Sequence, residues 1–220
     1  LSSIVSLIIF LTLMLGLLRI ALNFRDNNRA EFRDLFSEYP KLIKYLVASI
    51  LFGLMLIIPL WLFVFGIAFG IAMLETGGYG AVVTVISIIL SLIILVAAVY
   101  LFLKYQFYGY VIVDRGSGPV EALKESSRLT EGMLKNLLIF WVEIGLGIAI
   151  ALATVGIFIQ IPVYAILGII SEDLAPLAGD IVSSAIQLFI MVPITRLAMA
   201  DIYRRLESRL GGWAPPAVRG

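Results

Sequence analysis

Residues 42–74 read LIKYLVASILFGLMLIIPLWLFVFGIAFGIAML, and Lys44, near the start, is the only charged side chain among them. A transmembrane helix needs about 20 mostly apolar residues, so this stretch is long enough to cross a bilayer. Its excess length predicts a tilted helix, a kink at Pro59 or an end that projects into water.

The same apolar character extends over most of the chain. Hydrophobic residues make up 61% of the 220 positions and charged residues only 14%, against about 45–50% and about 25% in an ordinary soluble domain. A soluble fold of this size cannot bury so much apolar surface, so lipid must surround most of the chain. We expect a single transmembrane helical domain over residues 1–210 and a disordered Gly/Pro tail at 211–220. Four further apolar runs are candidate spans: residues 1–24, 81–113, 133–170 and 174–203.

The composition also excludes several kinds of chemistry. The chain contains no Cys and no His, which excludes disulfides, Cys/His zinc sites, His-ligated haem, Cys nucleophiles and His-based triads. The net charge of +1 gives no basic field that would indicate nucleic acid as a partner. No paired set of carboxylates is evident in the sequence. We therefore expect no enzymatic activity and no cofactor.

The Lys and Arg residues predict how the chain is oriented in the membrane. They concentrate in the polar stretches 25–41 and 114–132 and near the C-terminus, whereas the short breaks at 75–80 and 171–180 contain none. Positively charged residues in short loops mark the cytoplasmic side. The two polar stretches and the C-terminus are therefore predicted to be cytoplasmic, and the two breaks to lie outside.

Residues 133–170 start inside and end outside, so they must cross the membrane an odd number of times. We expect one crossing helix over roughly 133–154 and, after a bend at Gly156, a short helix over 157–170. That short helix is re-entrant or lies at the outer interface, and a re-entrant segment needs protein to cover its free backbone groups. One long tilted helix is the alternative. The predicted fold is all-α: a polytopic transmembrane helical bundle with five visible spans plus this short helix.

The first cytoplasmic stretch contains a predicted amphipathic helix. Asn28 followed by Glu31 has the spacing of a capping box, and Pro40 is expected to end the helix. The segment is either an ordered connector or a helix to which a partner docks. Four residues form an apolar stripe at helical spacing that would face the membrane surface: Phe32, Leu35, Phe36 and Tyr39.

The second cytoplasmic stretch predicts another helix. Pro119 suits its first turn, Glu121 favours its N-terminus and Gly132 is expected to end it. A helical wheel separates a charged face from a small, mildly apolar face suited to close packing, formed by Ala122, Leu123, Ser126, Leu129 and Thr130. An ordered connector is again the simpler interpretation.

The loop before this helix is a candidate lipid-headgroup contact. Arg115, Gly116 and Gly118 lie in a short glycine-containing stretch, whose backbone N–H groups are able to face a phosphate. The alternative is a plain turn, since short turns with glycine are common.

Residues 105–114 read YQFYGYVIVD, and residues 118–132 read GPVEALKESSRLTEG. This combination resembles a widespread prokaryotic family of poorly characterised polytopic membrane proteins, which includes the membrane domain ahead of some glycerophosphodiester phosphodiesterases. An aromatic helix end and an acidic turn precede its E-A-L-basic-x-S-x-x-L-T-x-G segment. That segment is filled here by Glu121, Ala122, Leu123, Lys124, Ser126, Leu129, Thr130 and Gly132.

Other parts of the chain resemble the same family less closely: Asp34-Leu-Phe, Ile57-Ile-Pro59, Pro193 and residues 202–206. Position 60 is Leu where the family has Gly, so the turn there differs. The resemblance covers roughly residues 34–206. It implies about six spans with both ends inside, hence one helix upstream of Leu1, and a prokaryotic cell membrane as the location. It does not imply phosphodiesterase activity, because no such domain is present in these residues.

Three ionisable residues are predicted to lie inside the bilayer: Lys104, Glu143 and Arg196. Glu143 follows Lys135 by eight residues and Arg196 precedes Arg204 by eight, which places both about 12 Å from the inner surface at 1.5 Å per residue. A lone charge there costs at least about 2.5–3.5 kcal/mol. We therefore expect an ion pair between Glu143 and Arg196, with Lys104 as a rival partner, either as a structural clasp or as part of a transport step.

Small residues predict where one helix approaches its neighbours closely. They lie in the fourth apolar run, at Gly145, Gly147, Ala149, Ala151 and Ala153. Core packing is the expected role, with a substrate path as the alternative.

Together these features predict a non-enzymatic, multi-pass membrane protein that acts as a scaffold, assembly or lipid-organising component, as a subunit of a membrane complex. Its expected partners are membrane lipids and either partner membrane proteins or further copies of itself. The alternative is a small transporter or lipid-handling protein that uses the intramembrane charges. A transporter would usually show more polar residues along one path.

Overall fold

The structure is a computed structural model that describes residues 2–26, 28–29, 31, 33–74, 78–170, 174–186, 188 and 191–210. The regular elements of these residues are all helical, which confirms the predicted all-α fold. The α-helices are α1 (Ser2–Arg25), α2 (Asp34–Ser37), α3 (Leu42–Leu74), α4 (Gly80–Tyr105), α5 (Tyr108–Arg115), α6 (Pro119–Leu129), α7 (Leu134–Val155), α8 (Ile161–Ile170), α9 (Leu174–Ile186) and α10 (Val192–Arg209). A 3₁₀ helix at Tyr39–Lys41 precedes α3, and a π-helix at Gly156–Gln160 joins α7 to α8.

Among the described residues, four helical stretches are long and apolar enough to cross a membrane: Ile8–Arg25, Asp34–Leu74, Gly80–Arg115 and Leu134–Ile166. They coincide with the first four apolar runs of the sequence. The fifth run is divided between α9 and α10, and residues 187, 189 and 190 between them lie outside the described residues. The five-span topology therefore stays a prediction. The predicted tail at 211–220 and parts of the two short polar breaks, residues 75–77 and 171–173, also lie outside the described residues.

The helices group into two compact units. The first unit comprises Leu1–Gly16 and Leu35–Leu134, and the second comprises Leu17–Asp34 and Lys135–Gly220. Helix α1 thus contributes its beginning to the first unit and its end to the second. The sequence predicted one domain over residues 1–210.

In the first unit, α3 and α4 pack closely because small residues line their contact. A side-chain carbon added at Gly66 would overlap the Ser91 hydroxyl, and one at Gly70 would lie 3.1 Å from the Ser87 Cβ. The Thr84 hydroxyl donates to the Gly70 carbonyl at 2.6 Å. Backbones this close exclude larger side chains, as expected for helix packing in membranes.

The small residues that the sequence singled out lie elsewhere. A side-chain carbon added at Gly145 or Gly147 of α7 would meet nothing within 4 Å, and both glycines are exposed. The prediction that they pack closely against neighbouring helices within the chain is therefore wrong for the residues that the structure describes. Periodic small residues allow close approach but do not specify a partner.

The end of the first unit is a sharp turn covered by α6. Helix α4 ends at Tyr105, and α5 begins two residues later at Tyr108. Helix α5 is almost entirely buried, with Tyr110, Val111, Ile112 and Val113 at most 1% exposed. The predicted packing face of α6 is confirmed: Ala122, Ser126 and Thr130 are completely buried, and Leu123 and Leu129 are nearly so. Helix α6 ends at Leu129, three positions before the expected stop at Gly132, whose φ of +75° lies in the turn that follows.

In the second unit, a π-helix spans Gly156–Gln160, where the sequence predicted a bend. Helix α7 ends at Val155 and α8 begins at Ile161, with π-helical turns between them and no break in the helical path. A π-bulge changes helix direction without freeing several backbone groups. Helix α8 then packs on α9, where a side-chain carbon added at Gly179 would overlap the Tyr164 ring.

The first polar stretch, residues 25–41, differs from its prediction. Its α-helix, α2, spans only Asp34–Ser37, and Pro40 lies inside the following 3₁₀ helix rather than after a helix end. The capping carboxylate is that of Asp34, which accepts from the Glu31 amide at 3.1 Å and from the Asn23 side chain at 2.9 Å. Phe36 and Tyr39 are more than half exposed, and Phe32 lies outside the described residues. The predicted Asn28–Glu31 capping box is therefore wrong, since Asp34 begins the helix instead.

Candidate functional site

The turn between α4 and α5 has backbone groups that the helices cannot satisfy. The hydroxyl of Ser126 donates to the Lys104 carbonyl at 3.1 Å and accepts from the Phe107 amide at 3.1 Å. The Thr130 hydroxyl lies 3.2 Å from the same Lys104 carbonyl. Since buried unpaired backbone groups are costly, these two hydroxyls on one face of α6 make the turn possible. Ser126 and Thr130 both belong to the E-A-L-basic-x-S-x-x-L-T-x-G segment, and the structure gives these two residues a packing role.

The side chain of Lys104, one of the three predicted intramembrane charges, turns toward its own helix. Its ammonium donates to the Tyr100 hydroxyl at 3.3 Å and lies 5.4 Å from the centre of the Tyr100 ring. A cation over an aromatic face is stabilised by the ring quadrupole. Lys104 thus has a neutral partner, one helical turn away.

Glu143 and Arg196 both belong to the second unit. Glu143 is exposed on α7, and the ion pairs between described residues do not include one from Glu143 to Arg196. Arg196 is partly buried and has contacts of its own. The structure does not bring these two predicted residues together, and the clasp stays a prediction.

The candidate headgroup loop already uses its donors inside the protein. The Arg115 guanidinium donates to the Glu125 carboxylate at 2.7 Å. The amide of Gly116, whose φ is +67°, donates to the Ile112 carbonyl at 2.9 Å, and the Gly118 amide donates to Glu121 at 3.1 Å. The loop is thus built as a helix C-cap at Gly116, followed by a helix start at which the Glu121 carboxylate accepts from the Gly118 amide.

Two lysines support the same loop from the beginning of α3. The Lys41 ammonium donates to the Val113 carbonyl at 2.5 Å, and the Lys44 ammonium donates to the Gly116 carbonyl at 2.7 Å. Both carbonyls belong to the C-terminal turn of α5, where cations are favourable because the helix dipole is negative there. The positive charges that predicted a cytoplasmic stretch also tie α3 to α5.

The second unit contains a buried charge cluster that sequence reasoning missed. Arg204 of α10 donates to both Asp26 oxygens, at 3.0 and 2.6 Å, and to Glu207 at 2.8 Å. The three side chains are at most 10% exposed. Beside them, Asp201 accepts from Arg25 at 2.5 Å and from Arg205 at 2.6 Å. The charges of these six side chains sum to zero, and the cluster joins the end of α1 to α10.

A signal for this cluster was present in the sequence, since Asp26 and Arg204 each lie within two positions of the end of an apolar run. Charges at helix ends are usually assigned to water, however, and nothing in the spacing indicates that two ends 178 positions apart meet. Among the described residues, no three carboxylates gather in a way that would hold a metal ion.

These helices and sites lie in a region with a known family signature. The model of the family "Domain of unknown function (DUF7847)" matches residues 1–206. The chain belongs to this family. The match covers the Ser126–Thr130 segment and, except for Glu207, the charged cluster around Arg204. No curated protein and no solved structure matches the chain.

Proposed function

We propose that this DUF7847 protein is a non-catalytic, multi-pass component of a prokaryotic cell membrane, with a cytoplasmic C-terminus. It acts as a scaffold, assembly or lipid-organising component, as a subunit of a membrane complex. The proposal rests on one contrast. The hydroxyls and most charges near the helix ends are engaged in contacts within the chain, whereas the long apolar helices leave wide surfaces uncovered.

Those surfaces are largest on α3 and α4. Trp61 and Phe65 of α3 are 68% and 69% exposed, and Ile93 and Val96 of α4 are 60% and 69% exposed. Contiguous exposed apolar surface of this kind meets lipid or another protein. Helix faces without polar groups are suited to contacts with membrane partners and offer no chemistry for turnover.

The proposal is tested by photo-crosslinking in native membranes. A photoreactive amino acid at Trp61 or Phe65 is expected to capture neighbouring membrane components. The same probe at Ala48, which is completely buried, is expected to give only crosslinks within the chain. In mild detergent, the chain should migrate as a complex larger than its own 24.2 kDa.

The alternative function, transport or lipid handling, is favoured by one observation, the exposed carboxylate of Glu143. Proton flux into liposomes that contain the purified protein, followed with a pH-sensitive dye, separates the two functions. A scaffold should show the same flux for the wild type and for Glu143→Gln. A wild-type flux that the substitution abolishes would replace the proposed function with transport.

A further inference from the structure

Glu143 lies in the middle of an exposed apolar helix face. Its neighbours one turn away on α7, Ile139 and Leu146, are 45% and 61% exposed, and Val142 and Ile150 are 63% and 60% exposed. Glu143 itself is exposed. A carboxylate surrounded by exposed aliphatic side chains on a membrane-spanning helix is a functional-site hypothesis by default.

Nothing in the described part of the chain neutralises this charge. Glu143 takes part in none of its ion pairs, and the nearest cation along the helix, Lys135, precedes it by eight positions, about 12 Å of helix rise. A glutamate side chain is too short to extend from this depth to the headgroups. A cation from outside the chain would therefore stabilise this charge within the membrane.

The helix surface next to Glu143 is open to a close neighbour. Gly147 lies one turn further along α7, and a side-chain carbon added there would meet nothing within 4 Å. A partner helix is thus able to approach the backbone at Gly147. Residues at i and i+4 share a helix face, so such a partner would bring its own side chains beside Glu143.

We infer that this face of α7 binds a transmembrane helix of another membrane protein, and that a Lys or Arg of that helix pairs with Glu143. The inference rests on the proposed function and names the chemistry of the partner. A second copy that packs through this same face, with the two-fold axis close to Glu143, would bring the two Glu143 carboxylates together, and like charges repel. Lipid amines lie at the interface, above this depth.

The test places a photoreactive amino acid at Ile150, on the same face, in the full chain and in native membranes. One membrane-protein adduct is expected in the wild-type background. In Glu143→Gln the yield should fall about tenfold, the change that corresponds to the loss of about 1.4 kcal/mol. Glu131→Gln, which makes the same change at an exposed carboxylate after α6, should leave the yield unchanged. The thermal unfolding of both variants should match the wild type, which excludes misfolding as the cause.

The captured partner should contain a Lys or Arg in a membrane-spanning helix. Replacing that cation with Met should reproduce the tenfold loss, and Glu143→Lys combined with a Glu at the partner position should restore the adduct. An adduct that persists in Glu143→Gln, an adduct to a second copy of this chain, or lipid adducts alone would overturn the inference. If adducts from Trp61 and Phe65 remain in those cases, the proposed function still stands.

Discussion

Arg204 and Asp26 lie 178 positions apart in the sequence and form a bidentate salt bridge, with N–O distances of 3.0 and 2.6 Å. Their side chains are only 7% and 10% exposed. A planar guanidinium that holds both oxygens of a carboxylate fixes the orientation of the two residues as well as their distance. The pair therefore determines how the end of α1 meets α10 within the second unit.

Removing the guanidinium should strongly destabilise the second unit. Arg204→Met leaves the carboxylates of Asp26 and Glu207 buried without their cation, and breaking a buried pair in this way costs about 3–5 kcal/mol. Arg204→Lys keeps the positive charge but loses the bidentate geometry, so it should lower the stability less than Arg204→Met does. Thermal unfolding in detergent measures both losses.

The matched control is Arg205→Met, one position further along α10. The Arg205 side chain is 74% exposed in its pair with Asp201, and exposed pairs contribute about 0–1 kcal/mol. Equal losses for Arg204→Met and Arg205→Met would show that the buried cluster does not stabilise the unit.

The hydroxyl of Ser126 is expected to stabilise the turn between α4 and α5. Ser126→Ala removes the hydroxyl that accepts from the Phe107 amide and donates to the Lys104 carbonyl. The loss of a buried hydrogen-bond partner costs about 1–3 kcal/mol. Ser127→Ala, the same change at the adjacent position, removes no contact of this kind and should be nearly neutral. Chemical unfolding of the two variants provides the comparison. A neutral Ser126→Ala would mean that water or another group satisfies the turn.

The contact between α3 and α4 should not tolerate a methyl group at Gly66. Gly66→Ala forces the new carbon against the Ser91 hydroxyl, and overpacking of this kind costs about 1–3 kcal/mol. Gly53→Ala in the same helix meets nothing within 4 Å and should be neutral or slightly stabilising, because Ala is the better helix former.

A double variant identifies the cause of that loss. The Ser91 hydroxyl is buried and has no hydrogen-bond partner, so Ser91→Ala removes the clashing atom at little cost. Stability of Gly66→Ala combined with Ser91→Ala should return close to that of the wild type in the same melts. If the double variant is no more stable than Gly66→Ala, the two residues are not in contact.

The orientation of the chain can be tested with single cysteines, because the sequence contains none of its own. Tyr79, between α3 and α4, is 87% exposed, and Lys124 is exposed on α6. A membrane-impermeant maleimide should label Tyr79→Cys in intact cells and Lys124→Cys only after permeabilisation. The reverse pattern would contradict the positive-inside assignment.

Much of the α6 segment was predictable because local rules agreed there. Pro119 begins the helix, Gly132 ends the chain reversal, and the predicted small face is the buried one. Turn chemistry and helical periodicity act within a few residues, so a sequence reports them directly. The partners of Ser126 were not predictable, since they depend on a backbone turn about 20 positions earlier.

The short α2 and the open face of α7 show where local rules fail. Asn28 and Glu31 have the spacing of a capping box. The carboxylate that caps the start of α2 is that of Asp34, which accepts from the Glu31 amide and from the Asn23 side chain of α1. Gly145 and Gly147 permit close packing, whereas Gly66 and Gly70 are the glycines that achieve it. Several positions are compatible with each pattern, and tertiary contacts select among them.

Composition and hydropathy alone determined that this chain is all-α and that its long helices suit a membrane. They also determined that it lacks the chemistry of Cys and His. Both follow directly from the sequence, because burial of apolar surface and residue content are additive over its residues. The tertiary structure decided which charges pair. Arg204 pairs with Asp26, 178 positions earlier, because an ion pair depends on the distance between two atoms. Packing across the whole unit sets that distance, and spacing along the chain does not.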